Sequence, residues 1–222
     1  MTDDRKSGIA LIAGSLGSIL TMAVHPVGTA TLTLEQVERL AIASAAAHSL
    51  AIVSFFVLFL GACGLARKMA AEDRIAFAAL VSYGLACVAG LIAASVSGFI
   101  VPEIIRHMAH DAAANAGQWN MIIYAVFQIN QAFARILAVA SSVAIVLWAV
   151  SALRNGALSR WIAVYGCIVA PLVMVGIGSG HLRLNVHGMA LVAIAEAVWF
   201  IVVGAQLCSS SGERSREPSS AA

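Results

Sequence analysis

Charged residues are scarce in this chain of 222 residues, because they make up 11% of it whereas a soluble domain carries about 25%. Apolar residues account for 61%, which is well above the share of about 45 to 50% in soluble proteins. This composition excludes a water-soluble globular domain. The formal charge is only +2 and the basic residues stand singly or in pairs, so we expect no nucleic-acid partner.

Cysteine is also sparse, and no two cysteines form a C-x-x-C pair. Their isolation argues against a disulfide framework or a redox pair and favours small apolar packing residues. No nucleophile-base pair or multi-histidine hydrolase motif can be placed either, so an enzyme is the least supported class. The four positions are Cys63, Cys87, Cys167 and Cys208.

Long apolar runs dominate what is present. A helix needs about 20 mainly apolar residues to cross the hydrocarbon core of a bilayer. The sequence therefore predicts an all-α, polytopic membrane protein, a bundle of six transmembrane helices over residues 1–208 with the lipid bilayer as its surroundings. Residues 209–222 are polar and predict a disordered tail. The six windows are 8–25, 41–66, 75–101, 127–153, 158–180 and 187–207.

The basic residues predict the orientation of the bundle. Nine of them lie at the termini and in the hinges after spans two and four, three lie on the opposite side, and Arg135 lies within span four. The positive-inside rule then places both termini and the tail in the cytoplasm. The alternative is that span one is a cleaved signal peptide, against which stand Asp3 and Asp4 and the length of the apolar run.

All the histidines are predicted to lie on the outer side, with His48 and His187 at the membrane boundary. Histidine commonly binds transition metals and haem. A single outer haem could therefore be held by His48 with His187, or by His25 with either. A transition metal could instead be bound by the segment after Pro102, which we expect to form a short surface helix. The candidate metal ligands there are His107, His110 and Asp111.

One acidic residue falls near the predicted midplane, in the last span. An intramembrane acid such as Glu196 usually faces the bundle interior or a wet cavity. It could carry a proton or bind a cation, or it could stay protonated and hydrogen-bond to Ser141, Ser142 or Ser54. Span four presents Gln131 and Arg135 above it, and with His48 and His187 these residues predict a polar pocket that opens outward.

Spans four and five resemble a known pattern. The segments Asn130-Gln-Ala-Phe-Ala-Arg135 and Leu158-Ser-Arg-Trp-Ile-Ala-Val-Tyr-Gly166 are similar to those of uncharacterised bacterial six-span inner-membrane proteins, in which a basic hinge leads into an Arg-Trp helix start. The chain departs from that pattern at Ser159, where the pattern often has proline. The resemblance covers about fifty residues. It implies a multi-pass protein of the bacterial inner (plasma) membrane and transfers no functional residue.

Three functions fit these observations. The first is a binding or sensing protein whose outward pocket, built from His48, Gln131, Arg135 and His187 above Glu196, takes a small-molecule ligand, a metal ion or one haem. The second is a proton-coupled transporter of small solutes in which Glu196 titrates. The third is a membrane scaffold or accessory subunit, in a homo-oligomer or a larger membrane complex.

Overall fold

The computed structural model describes residues 3–26, 33–69, 73–111 and 115–214, and within these ranges the regular structure is helical throughout. Seven α-helices and one π-helical turn follow one another without a strand in the described residues. Their bounds are α1 Asp3–Ala23, α2 Leu34–Lys68, α3 Arg74–Ser95, the π turn Val96–Ile100, α4 Val101–His110, α5 Ala116–Asn155, α6 Arg160–Gly178 and α7 Val186–Arg214.

Six helical stretches are long and apolar enough to cross a membrane, with α3, the π turn and α4 counting as one. Each of the six predicted windows corresponds to one of them, so the fold class is confirmed. Their outer faces carry large apolar side chains that are more than half exposed, such as Leu60 at 67%, Phe77 at 66% and Val175 at 65%. A water-soluble surface would not tolerate such a continuous apolar coat, and the chain is a multi-pass membrane protein.

The six spans form a closed ring. Neighbours along the chain pack side by side in the order α1, α2, α3, α5, α6 and α7, and α7 packs back against α1. Small residues let the backbones approach at the closing contact, where a Cβ on Gly204 would lie 2.6 Å from the carbonyl oxygen of Gly8. The ring surrounds a central space that several helices reach.

The two ends of the ring differ in length and chemistry. The hinge end holds both ends of the described chain, since Lys68 Nζ lies 3.3 Å from Asp4 Oδ2 and the Cys208 thiol contacts the Arg5 carbonyl at 3.7 Å. At the opposite end, here the extension end, the 35 residues of α2 and the 40 residues of α5 continue well past their neighbours. At 1.5 Å per residue, α5 is about 60 Å long, twice the hydrocarbon thickness of about 30 Å.

The segment after Pro102 does not form the separate surface helix that we expected. It continues α3 through the π turn, with right-handed helical backbone angles at Ile100 and Val101. Pro102 has no N–H, so the carbonyl of Ser97, its partner in π-helical spacing, is left free. The Ser44 hydroxyl donates to this carbonyl at 3.0 Å, which ties α2 to the π turn.

The predicted disordered tail also differs at its start. Helix α7 continues to Arg214, so the first residues of the stretch 209–222 are helical. The apolar span and the polar segment after it form one helix of 29 residues. Residues 215–222 lie outside the described residues.

Candidate functional site

A cavity of about 110 Å³ lies inside the ring, lined by α1, α2, α3, α5 and α7. Most of its wall is apolar, and Glu196 is the one carboxylate that lines it among the described residues. For comparison, a dry cavity of about 150 Å³ in another protein holds a benzene molecule. The space therefore suits a molecule of about that size or slightly smaller.

Glu196 reaches the cavity because α7 presents small residues around it. Ala193 and Ala197 lie on the same side of α7 and line the same cavity, which leaves room for the carboxyl group. The Ser141 hydroxyl contacts Glu196 Oε1 at 2.7 Å and the Ser142 hydroxyl contacts it at 3.1 Å. The predicted hydrogen bonds from Glu196 to Ser141 and Ser142 are thus confirmed.

The serine pair can serve the carboxyl group in either protonation state. Ser141 Oγ has a second acceptor, the Leu137 carbonyl at 2.8 Å, and a hydroxyl group has a single proton to donate. When Glu196 is ionised, Ser141 and Ser142 both donate to it. When Glu196 is protonated, Ser141 can donate to the Leu137 carbonyl and accept the carboxyl proton. The hydrogen-bond shell therefore does not force one state.

A second polar group faces the same space. Ser15 lines the cavity from α1, is 1% exposed, and its hydroxyl has no hydrogen-bond partner in the described part of the chain. Helices α1 and α7 are antiparallel and meet at Gly8 and Gly204. Ser15 and Glu196 lie seven and eight residues from that contact, or about 10 to 12 Å along the axis. The orphan hydroxyl and the carboxyl group are therefore at similar depth.

Aromatic side chains close the cavity toward the hinge end. Tyr83 and Phe200 line it, with ring centroids 5.2 Å apart. Behind them lie Trp148 and Trp199, which are fully buried and stacked at 6.1 Å. At the other end the lining residues are Thr21, Met22 and Met189, which point the cavity toward the extension end.

Of the five residues predicted to form the pocket, Glu196 is the one that lines the cavity. Arg135 and His187 are exposed. The Gln131 amide donates to the Leu184 carbonyl at 3.3 Å. His48 is 6% exposed and packs on the π turn. The structure thus separates the five side chains, and the polar pocket is replaced by a deeper and more apolar one.

The histidine clusters follow a similar pattern. His25 and His48 stack edge to face with ring centroids 5.0 Å apart, and this contact leaves no gap for a porphyrin between them. His107 pairs with Glu103 at 3.3 Å, while Asp111 accepts the indole N–H of Trp119 at 2.7 Å. Across the described ranges, no three His, Cys, Asp or Glu side chains converge on a metal-sized space.

Sequence reasoning missed the cavity residues of α1 and α3. Ser15, Ser18 and Met22 line the cavity, and their i, i+3, i+7 spacing places them on one helix face. Tyr83 and Cys87 show the i, i+4 spacing on α3. A serine stripe on the first span was therefore the available signal, although serine in a membrane helix also satisfies itself on its own backbone.

The fold and the site together define a six-helix membrane bundle with a central, mostly apolar cavity that contains one carboxyl group. Comparisons with protein-family models, with curated proteins and with solved structures returned no match. The site must therefore be interpreted from its own chemistry.

Proposed function

We propose that this membrane protein binds a small, mainly apolar molecule with one cationic or hydrogen-donating group inside the ring, in a binding or sensing role. The observation that supports this most directly is the pairing of Glu196 with the unpartnered Ser15 hydroxyl at one depth of an apolar cavity. Both hydrogen bonds to the carboxyl group go to Oε1, so Oε2 remains for a ligand.

A cationic group is favoured over an anionic one on electrostatic grounds. A carboxylate in a mainly apolar space is costly unless an opposite charge or hydrogen bonds compensate it. An ammonium group would provide the charge to Glu196 and a donor to Ser15. The apolar remainder of the molecule would contact Phe55, Leu58 and Phe200 on the cavity wall.

A matched set of five-membered rings tests this proposal. Pyrrolidine, cyclopentanol and cyclopentane share a shape but differ in charge and hydrogen bonding, and each can be titrated into the full-length protein in lipid nanodiscs, with binding followed by ligand-observed NMR. We expect pyrrolidine to bind most tightly. Glu196→Gln should weaken pyrrolidine at least tenfold while changing cyclopentane little.

A filled cavity supplies the control. Ala193→Leu places a larger side chain into the cavity and should reduce binding of all three rings, whereas Ala205→Leu adds the same side chain to an exposed position of α7. Equal binding by the two leucine variants would locate the site elsewhere. Pyrrolidine binding that ignores Glu196→Gln would remove the carboxyl group from the site.

A second candidate, proton-coupled transport, is favoured by the Ser141 geometry. Because Ser141 can switch its donor between Glu196 and the Leu137 carbonyl, the carboxyl group can lose and regain a proton without a broken network. Infrared difference spectra between acid and alkaline pH should then contain the C=O band of a protonated acid. The band should vanish in Glu196→Gln and persist in Glu103→Gln, and a band that persists in both contradicts this role.

A further inference from the structure

The second histidine pair lies apart from the lining of the cavity. His25 follows α1, one helical turn beyond Thr21, and His48 lies on α2 with 6% of its surface exposed. Their rings are in contact, with centroids 5.0 Å apart and planes at 74°. Neither histidine lines the central cavity, so the function of this pair is separate from the function proposed above.

Backbone carbonyls fix the same ring nitrogen in both histidines. His48 Nδ1 lies 2.8 Å from the Ser44 carbonyl, and His25 Nδ1 lies 3.1 Å from the Pro26 carbonyl. A carbonyl only accepts hydrogen bonds, so each Nδ1 carries the proton and each Nε2 has a free lone pair. This is the arrangement found in metal-binding histidines, whose outer nitrogen donates to a carbonyl or carboxylate.

The spacing of the rings also suits a shared metal ion. Two imidazoles that bind one ion through Nε2, at about 2.0 Å and a tetrahedral angle, have ring centroids about 5 Å apart. The observed separation is 5.0 Å. Imidazole nitrogen is a ligand for zinc, copper, nickel and iron.

The surroundings hold His48 in place. A Cβ on Gly98, in the π turn, would lie 2.5 Å from His48 Cβ, so the turn and the imidazole pack without space between them. The Ser44 hydroxyl lies 3.4 Å from His48 Nδ1 and donates to the Ser97 carbonyl of the same turn. The π turn, which Pro102 requires, is thus the surface that orients this ring.

We propose that His25 and His48 together bind one divalent transition-metal ion of the zinc class through their Nε2 atoms. Two protein ligands leave two positions of a tetrahedral ion for water or an exogenous ligand. The ion would lie at the extension end of the ring, above the cavity, where α1 and α2 end and begin their exposed segments.

Zinc titration of the full-length protein in nanodiscs tests this site, with the metal content measured after equilibrium dialysis. We expect about one zinc ion per chain for the unmodified protein and for His107→Ala/His110→Ala. We expect at least a tenfold loss of affinity in His25→Ala and in His48→Ala. His181→Ala, which removes an exposed histidine, should leave zinc binding unchanged.

Copper provides a readout that counts ligands. Electron paramagnetic resonance of the Cu²⁺ form should show coupling to two nitrogens in the unmodified protein and to one in His25→Ala. His25 lies beyond the end of α1, so this variant decides the question even if His48→Ala fails to fold. Zinc that follows His107 and His110, or metal that never saturates, would overturn the proposal.

Discussion

At the residue scale, the hydroxyl groups of Ser141 and Ser142 hold the buried carboxyl group of Glu196. Both are at most 1% exposed, so their replacement leaves a carboxyl group without donors inside the bundle. We expect Ser141→Ala/Ser142→Ala to lower the free energy of unfolding by about 1–3 kcal/mol, as when a buried polar group loses its partners. Unfolding in mixed micelles measures this loss.

The control for this variant is an exposed serine on a neighbouring span. Ser49→Ala on α2 removes a solvent-facing hydroxyl and should change the unfolding free energy by less than about 0.5 kcal/mol. If the double variant is as stable as Ser49→Ala, the two serines do not support Glu196.

Residue chemistry explains which part of the site the sequence could predict. Glu196 is visible because an acid in an apolar span is rare and must find partners, and its serine partners were correctly named. Ser15 is not visible, because a membrane serine can satisfy itself within its own helix. Arg135 and His187 are polar residues near a span boundary, where an exposed side chain is as acceptable as a pocket.

At the element scale, the π turn depends on the absence of a side chain at Gly98. A methyl group there would collide with His48, and overpacked contacts cost about 1–3 kcal/mol. We expect Gly98→Ala to lower the unfolding free energy by that amount and to weaken zinc binding. Thermal unfolding followed by circular dichroism checks the first effect.

A second glycine substitution serves as the comparison. Gly178 ends α6, and nothing lies within 4 Å of a Cβ placed on it. Gly178→Ala should leave stability within about 0.5 kcal/mol of the original value. Equal losses in both variants would mean that the contact between the π turn and His48 is not close.

The start of α3 carries a pH-sensitive link to α5. Asp73 caps α3 by accepting the Ile75 N–H at 2.8 Å, and it also accepts the Ser151 hydroxyl. These hydrogen bonds, with Ser151 first, lower the pKa of Asp73 below its ordinary value. A lowered folded-state pKa means that the link stabilises the fold above the unfolded pKa of about 3.9 and is lost as the pH falls below it.

We therefore expect acid to weaken the unmodified protein more than Asp73→Asn. Asparagine keeps a capping oxygen for Ile75 but cannot titrate. The quantity to measure is the difference between the two unfolding midpoints from pH 2 to 6, which should shrink as the pH falls through about 4. A difference that stays constant over this window would show that Asp73 gains nothing from its ionised form.

At the scale of the whole molecule, the number of spans follows from length and apolarity, and the sequence predicted it correctly. The closing of the ring did not follow, because α1 could pack against any apolar face. The contact between Gly8 and Gly204 is a matter of backbone approach, which composition does not encode. The central cavity depends on this closure, so its α1 wall could not be derived from individual spans.

The extension end also exceeded what hydropathy reveals. Apolar runs predicted where helices cross the hydrocarbon, whereas α5 continues outward through Tyr124 to its start near Trp119. Arg106 of α4 makes two contacts with Glu38 of α2, at 2.8 and 3.1 Å. These ion pairs hold the extended helices to each other, and they join residues that are far apart in sequence.

The two ends of the ring give a direct test of orientation. The excess of basic residues at the hinge end predicts that this end lies in the cytoplasm and the extension end outside. Tyr124 near the start of α5 is 64% exposed and Trp161 at the start of α6 is 82% exposed, so they form a matched pair on opposite ends. We expect Tyr124→Cys to react with a membrane-impermeant maleimide added to intact cells. Trp161→Cys should react only after the membrane is permeabilised. The unmodified chain, with its four cysteines, sets the background, and the reverse labelling pattern would invert the orientation, whereas labelling of both positions from one side would contradict the transmembrane ring itself.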